Sequence, residues 1–143
     1  FVALITFPLM IALVVIAGGA LLVGVWAPGF PRSFYDDFPG LGRAWVRVDG
    51  PFNEHLVRDV GGLNLALATV LIAAIITLSR PVIIAASVAS LLSGIPHLVY
   101  HIINNDGLDS GDVAASLGGL ALFAIVPIVL IVISPRVSAP TDQ

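Results

Sequence analysis

Residues 60–103 read VGGLNLALATVLIAAIITLSRPVIIAASVASLLSGIPHLVYHII, two long apolar runs that meet at Ser79-Arg80-Pro81. A bilayer core of ~30 Å takes about 20 apolar residues in a helix. Residues 60–79 and 81–103 each supply that length. Pro81 suits the first turn of a helix, where its missing N–H is not needed, so the two runs form a tight hairpin. Outward from the hairpin, residues 2–26 carry no ionisable side chain, and residues 113–134 make a fourth apolar run. The first run is too long for the roughly 7–15-residue apolar core of a signal peptide, and no small-residue cleavage site stands out. Because the chain opens on Phe1, further native residues are expected to precede it. The expected fold is all-α: a polytopic membrane protein, one four-transmembrane-helix bundle over residues 1–143. An aromatic and acidic loop at 27–59 and a short polar tail at 135–143 complete it.

Composition agrees. The chain is 58% hydrophobic and 10% charged, with a mean hydropathy of +1.06. A soluble domain carries about 25% charged residues, so this chain could not cover a water-facing surface. Its six basic residues are all Arg, the net charge is −3, and no basic stripe exists. Nucleic acid is therefore not an expected partner. With no cysteine, disulfides, thiolate nucleophiles, iron–sulfur clusters and Cys-based zinc sites are excluded together.

Charge is segregated. The 27–59 loop holds Arg32, Asp36, Asp37, Arg43, Arg47, Asp49, Glu54, Arg58 and Asp59, and the turn at 104–112 adds Asp106, Asp109 and Asp112. Four spans place both loops on one membrane face, and Arg80, the N-terminus and the tail with Arg136 and Asp142 on the other. The expected setting is the cell inner (plasma) membrane, multi-pass, with cytoplasmic termini and the acidic loops outside. The long loop also carries Phe30, Phe34, Tyr35, Phe38, Trp45 and Phe52 among four prolines. Aromatic rings favour the headgroup region, where an apolar body and a polar edge are both satisfied. Residues 33–38 read as a short turn or helix at the interface, with 40–49 lying across the mouth of the bundle.

Lipid tails are as apolar as leucine, so helix faces that meet are marked by small and weakly polar residues. The third span offers Ser87, Ser90, Gly94, His97, His101 and Asn104 at spacings of three or four. The second, if extended back to about Asn53, offers His55, Asp59, Gly62, Ala66, Thr69, Ala73 and Thr77. Ala17, Ala20 and Gly24 mark the first span; Asp112, Ser116 and Gly119 mark the fourth. Val60-Gly61-Gly62-Leu63-Asn64-Leu65 also echoes Leu117-Gly118-Gly119-Leu120-Ala121-Leu122; a duplicated helical hairpin would give this, and chance in a chain so rich in Gly and Leu is the favoured reading. Pro96 and Pro127 each remove a backbone hydrogen bond from a span and are expected to kink it.

The polar residues gather toward one end. Glu54 and Arg58 have the i,i+4 order that favours an ion pair, and His55 and Asp59 share that spacing on the adjoining face. His97 and His101 lie one turn apart on the third span. If the second and third spans are neighbours, His55, Asp59, His97 and His101 converge in one polar pocket, with Asn64 and Asn104 nearby. Three readings stand. Two His at i,i+4 with a carboxylate suit zinc or iron; a pocket of His and Arg donors suits a lipid or quinone headgroup; or the side chains hold the helix ends together. No metal is expected, since no HExxH follows the His pair. No catalytic residue is assigned: GxSxG, GxxxxGK[ST] and GxGxxG are absent, and the span midplanes carry no charge.

The pattern resembles a known group. Four spans, an aromatic acidic loop after the first, and Asn53-Glu54-His55-Leu56-Val57-Arg58-Asp59-Val60-Gly61-Gly62 resemble the small DoxX-like membrane proteins common in actinobacteria. The Arg58–Gly62 segment, Asn64 and His97-Leu98-Val99-Tyr100-His101 carry the likeness. The resemblance implies association with quinone-linked respiratory complexes and transfers no catalytic residue. The expected function is a non-catalytic accessory or structural subunit beside other integral membrane subunits and lipids. The alternative is a lipid- or quinone-like ligand binder, or a membrane enzyme, using Glu54, His55, Arg58, Asp59, Asn64, His97, His101 and Asn104.

Overall fold

The computed structural model describes residues 2–134, with side chains from Thr6 onward. All the regular structure among these residues is helical: α1 (Val2–Gly29), α2 (Pro31–Asp37), a 3-10 turn (Val46–Asp49), α3 (Glu54–Thr77), α4 (Arg80–Ile103) and α5 (Ser110–Ile133). Four of these, α1, α3, α4 and α5, are long and apolar enough to cross a membrane. The last three have 24 residues each, about 36 Å at 1.5 Å per residue. The fold is an all-α four-helix bundle. The 135–143 tail, with Arg136 and Asp142, lies outside the described residues.

Local chemistry sets the ends of the helices. Asn53 caps α3, its Oδ1 accepting from the Leu56 N–H at 3.1 Å, and Asp109 caps α5 by accepting from the Asp112 N–H at 2.8 Å. Either side chain satisfies one of the N–H groups that a helix start leaves without a partner. Leu78 ends α3 in the left-handed region (φ 46°), its N–H donating to the Ala74 carbonyl. Ser79-Arg80-Pro81 then opens α4. Because caps and prolines decide these ends, the segment 27–59 is not loop throughout. It includes the last turn of α1, all of α2 and the first turn of α3, so α3 begins at Glu54 rather than at residue 60. Both α4 and α5 run through their internal prolines, Pro96 and Pro127.

α1 packs most extensively on α3 and α4 on α5, with the α3–α4 hairpin and an α1–α5 contact closing the ring. At the α1–α3 crossing two glycines admit the partner backbone. A Cβ on Gly61 would stand 2.2 Å from Pro28 Cδ, and one on Gly24 would stand 2.9 Å from the Leu65 nitrogen. The aliphatic core (Leu9, Leu13, Ile16, Ala68, Leu71, Ala74, Ile83, Ala86 and Leu130) gathers toward the hairpin end. A second cluster, Ala27, Phe34 and Val57, lies under α2 at the opposite end.

Two of the expected packing faces differ from the observed ones. The buried face of α3 is Val57, Gly61, Ala68, Leu71 and Ala74, whereas His55, Asp59, Gly62, Ala66, Thr69 and Thr77 are exposed and Ala73 is only half-buried. Weakly polar residues need no neighbour when their own helix satisfies them. Thr69 and Thr77 donate to the carbonyls of Leu65 and Ala73, at 2.8 and 2.7 Å, the i−4 back-bond open to threonine. On α5, Ser116 is buried but Gly119 is exposed. The α1 face, Ala17, Ala20 and Gly24, is buried as expected, and so are Ser87 and Ser90 on α4.

Candidate functional site

The polar residues collect at the end where α1 hands the chain to α2 and α3 begins. Arg58 is the most connected. Its Nε donates to Glu54 Oε1 at 2.9 Å, and its guanidinium also reaches the Pro28 carbonyl at the end of α1. One cation therefore answers a carboxylate one turn away and an unpaired carbonyl at the negative end of a neighbouring helix. Both partners of the Glu54–Arg58 pair are about half exposed, so the pair lies in the range of small ion-pair contributions.

His55 and Asp59 also pair, Nε2 to Oδ2 at 3.2 Å, with the His55 side chain 88% exposed. On α4, His97 and His101 stack on each other with ring centroids 4.9 Å apart, and Tyr100 stands edge-on to His101 at 5.2 Å. His55 and Asp59 pair on α3 and His97 and His101 on α4, with no direct contact between the two pairs. Among the described residues no group of three or more His, Asp or Glu could share a metal ion. Beyond Ser90 no residue of α4 is fully enclosed by the other helices. His97 is exposed and His101 half-buried, rather than both pointing into the bundle. Asn64 and Asn104 do not join them either. Each amide donates to a carbonyl of its own helix, Val60 at 2.9 Å and Tyr100 at 3.0 Å.

The aromatic cap is what the sequence read only in outline. Trp26, Phe34, Phe38 and Trp45 form a chain of tilted and edge-on rings with centroid separations between 4.8 and 6.3 Å. Arrangements of this kind add to the stabilisation from burial. The Trp26 Nε1–H donates to Ser33 Oγ, whose hydroxyl donates to Asp37, and the Tyr35 hydroxyl donates to the Gly50 carbonyl at 2.6 Å. Arg32 pairs with Asp36 and lies over the rings of Tyr35 and Phe52. The hydrogen bond to Asp36, with its negative charge, holds the Arg32 guanidinium pKa above its ordinary value. Between α2, the 3-10 turn and the start of α3, an open hollow of about 100 Å³ is lined by Tyr35, Val46, Asp49, Asn53 and Val57 among others, room for a few waters.

Two contacts carry the loop across the bundle mouth, as expected for residues 40–49. Arg43 pairs with Asp112 on the first turn of α5. The Val48 side chain lies against Gly107 in the α4–α5 turn. Nothing local signals the Arg43–Asp112 pair, whose members are 69 residues apart. Between these contacts the tip Gly40-Leu41-Gly42 holds Leu41 fully exposed in the left-handed region, φ 59°.

Fold and site together define an all-helical protein with four membrane-length helices and one aromatic, polar-capped end. No protein-family model, curated protein or solved structure matches the chain.

Proposed function

We propose that this protein is a non-catalytic accessory or structural subunit of a larger membrane complex, of the quinone-linked respiratory kind suggested by the DoxX-like resemblance. In this reading it is a plasma-membrane protein with cytoplasmic termini. One observation carries it: the α3 face of Gly62, Ala66, Thr69, Ala73 and Thr77, which the chain's other helices leave largely uncovered. A Cβ on Gly62 would meet nothing within 4 Å. In lipid, where burial of apolar surface drives no association, a face that lets a second backbone approach closely is how one helix recruits another. A photoreactive residue at Thr69 in native membranes should crosslink one larger subunit stoichiometrically, and Gly62→Leu should abolish the product. Crosslinking to lipid alone would end the accessory reading.

A second reading, a binder or modifier of a lipid- or quinone-like molecule, draws on the His97–Tyr100–His101 rings at the outer end of α4. Mass spectrometry of gently extracted protein tests it. A stoichiometric small molecule lost from the double variant His97→Gln, His101→Gln would favour this reading.

A further inference from the structure

The hairpin face presents a different chemistry from the capped end. Arg80 is the one charged side chain there among the described residues, at the first position of α4. It makes no ion pair or hydrogen bond among those residues, and its Nε is shut off from solvent without a partner. It borders an open surface depression whose other described lining residues are Pro81, Ile84 and Ala85. A guanidinium at the membrane boundary with no anion beside it among the described residues is suited to take one from outside them, since charge-assisted, bidentate bonds to carboxylate or phosphate are what its fork fits. The start of α4 adds to the demand. Ser79 places no side-chain cap on it and Pro81 has no N–H, so the backbone N–H groups of Arg80 and Val82 and the positive end of the helix dipole are left at the same end. The remaining walls are apolar.

From these observations we propose that Arg80 and the opening turn of α4 form a binding site for the phosphate group of an anionic membrane lipid. The guanidinium holds the phosphate oxygens, and an acyl chain lies along Pro81, Ile84 and Ala85. The surface of Ile84 and Ala85 distinguishes a lipid from a free phosphate ion, which would gain nothing from it. The site lies at the opposite end of the bundle from His97 and His101 and does not depend on the accessory-subunit reading.

The experiment is native mass spectrometry of the full chain released from phosphatidylcholine bilayers doped with phosphatidylglycerol. The wild-type protein should retain one phosphatidylglycerol in preference to phosphatidylcholine. Arg80→Gln should weaken that retention by about tenfold, the scale of one charge-assisted contact, and Arg80→Lys by less. Arg47→Gln, an exposed arginine at the capped end, should change nothing. Equal retention of the two lipids by the wild-type protein would overturn the site without recourse to any variant. Unchanged selectivity in a folded Arg80→Gln protein would overturn the assignment to Arg80. Displacement of the lipid by added inorganic phosphate would identify the free ion as the ligand and overturn the lipid proposal.

Discussion

The two ends of the bundle are held by different means. At the hairpin end, Leu9, Leu13, Leu71, Ile83 and Leu130 leave essentially no exposed surface, and among the described residues Arg80 is the single charged side chain at the membrane boundary. At the capped end no residue of α4 past Ser90 is fully buried. There the join is made by two glycines at the α1–α3 crossing, an arginine bridging helix ends, and a layer of rings. Aliphatic side chains gain little by leaving lipid for protein, so packing in the membrane rests on close fit. At the headgroup level water is present, and hydrogen bonds and aromatic edges become useful. The two ends differ because they meet different solvents.

Sidedness gives the largest expected difference between them. Leu41→Cys, at a fully exposed tip, and Ser110→Cys should be labelled by an impermeant thiol reagent from the same side, and Ser79→Cys only from the other. Labelling of Leu41→Cys and Ser110→Cys from opposite sides would break the four-span arrangement.

Next comes the glycine crossing. Gly61→Leu drives a side chain into Pro28 and should destabilise the protein by about 3 kcal/mol, read by denaturant unfolding in mild detergent. Gly62→Leu, one residue on but facing outward, should change stability by no more than about 0.5 kcal/mol. Equal effects at the two positions would refute the assigned face of α3.

Arg58→Ala should have a smaller effect, about 1 kcal/mol, because the side chain is half exposed. Adding Glu54→Gln should restore little of it, since the Pro28 carbonyl would still lack its donor. Full recovery in the double variant would mean that the contact between helices contributes nothing.

The smallest effect is expected at the outer end of α4. Replacing both His97 and His101 with Gln should shift stability by less than about 0.5 kcal/mol, because His97 is exposed and His101 only half-buried. A shift several times larger would show that the capped end is more tightly packed than the hairpin end, reversing the comparison.

How much was legible in the sequence varies from residue to residue. The Glu54–Arg58 and His55–Asp59 pairs follow from i,i+4 spacing, which a helix alone brings together. The α1 face was readable because Ala17, Ala20 and Gly24, at spacings of three and four, fall on one side of the helix, and that side is the buried one. The α3 face was not, because it offers two small stripes. The chosen one holds Gly62 and the threonines, whereas the buried one holds Gly61, Ala68 and Ala74. The two Gly-Gly-Leu segments make the same point. Gly61 receives Pro28, while a Cβ on Gly118 or Gly119 would meet nothing within 4 Å. For the candidate pocket, proximity along each helix was legible and proximity between helices was not.

By itself the sequence determined the helical class, the four membrane-length runs, the turn at Ser79-Arg80-Pro81 and the concentration of charge and aromatic rings at one end. Each of these follows from hydropathy, chain stiffness or spacing within a helix, and none needs a partner from elsewhere in the chain. Only the tertiary structure decided which side of α3 meets α1, that His55 and Asp59 share no ion site with His97 and His101, and that Arg43 ties the cap to α5. Those outcomes depend on how each helix is rotated about its axis. In lipid that rotation is set by which backbones can approach most closely, a property of two surfaces together.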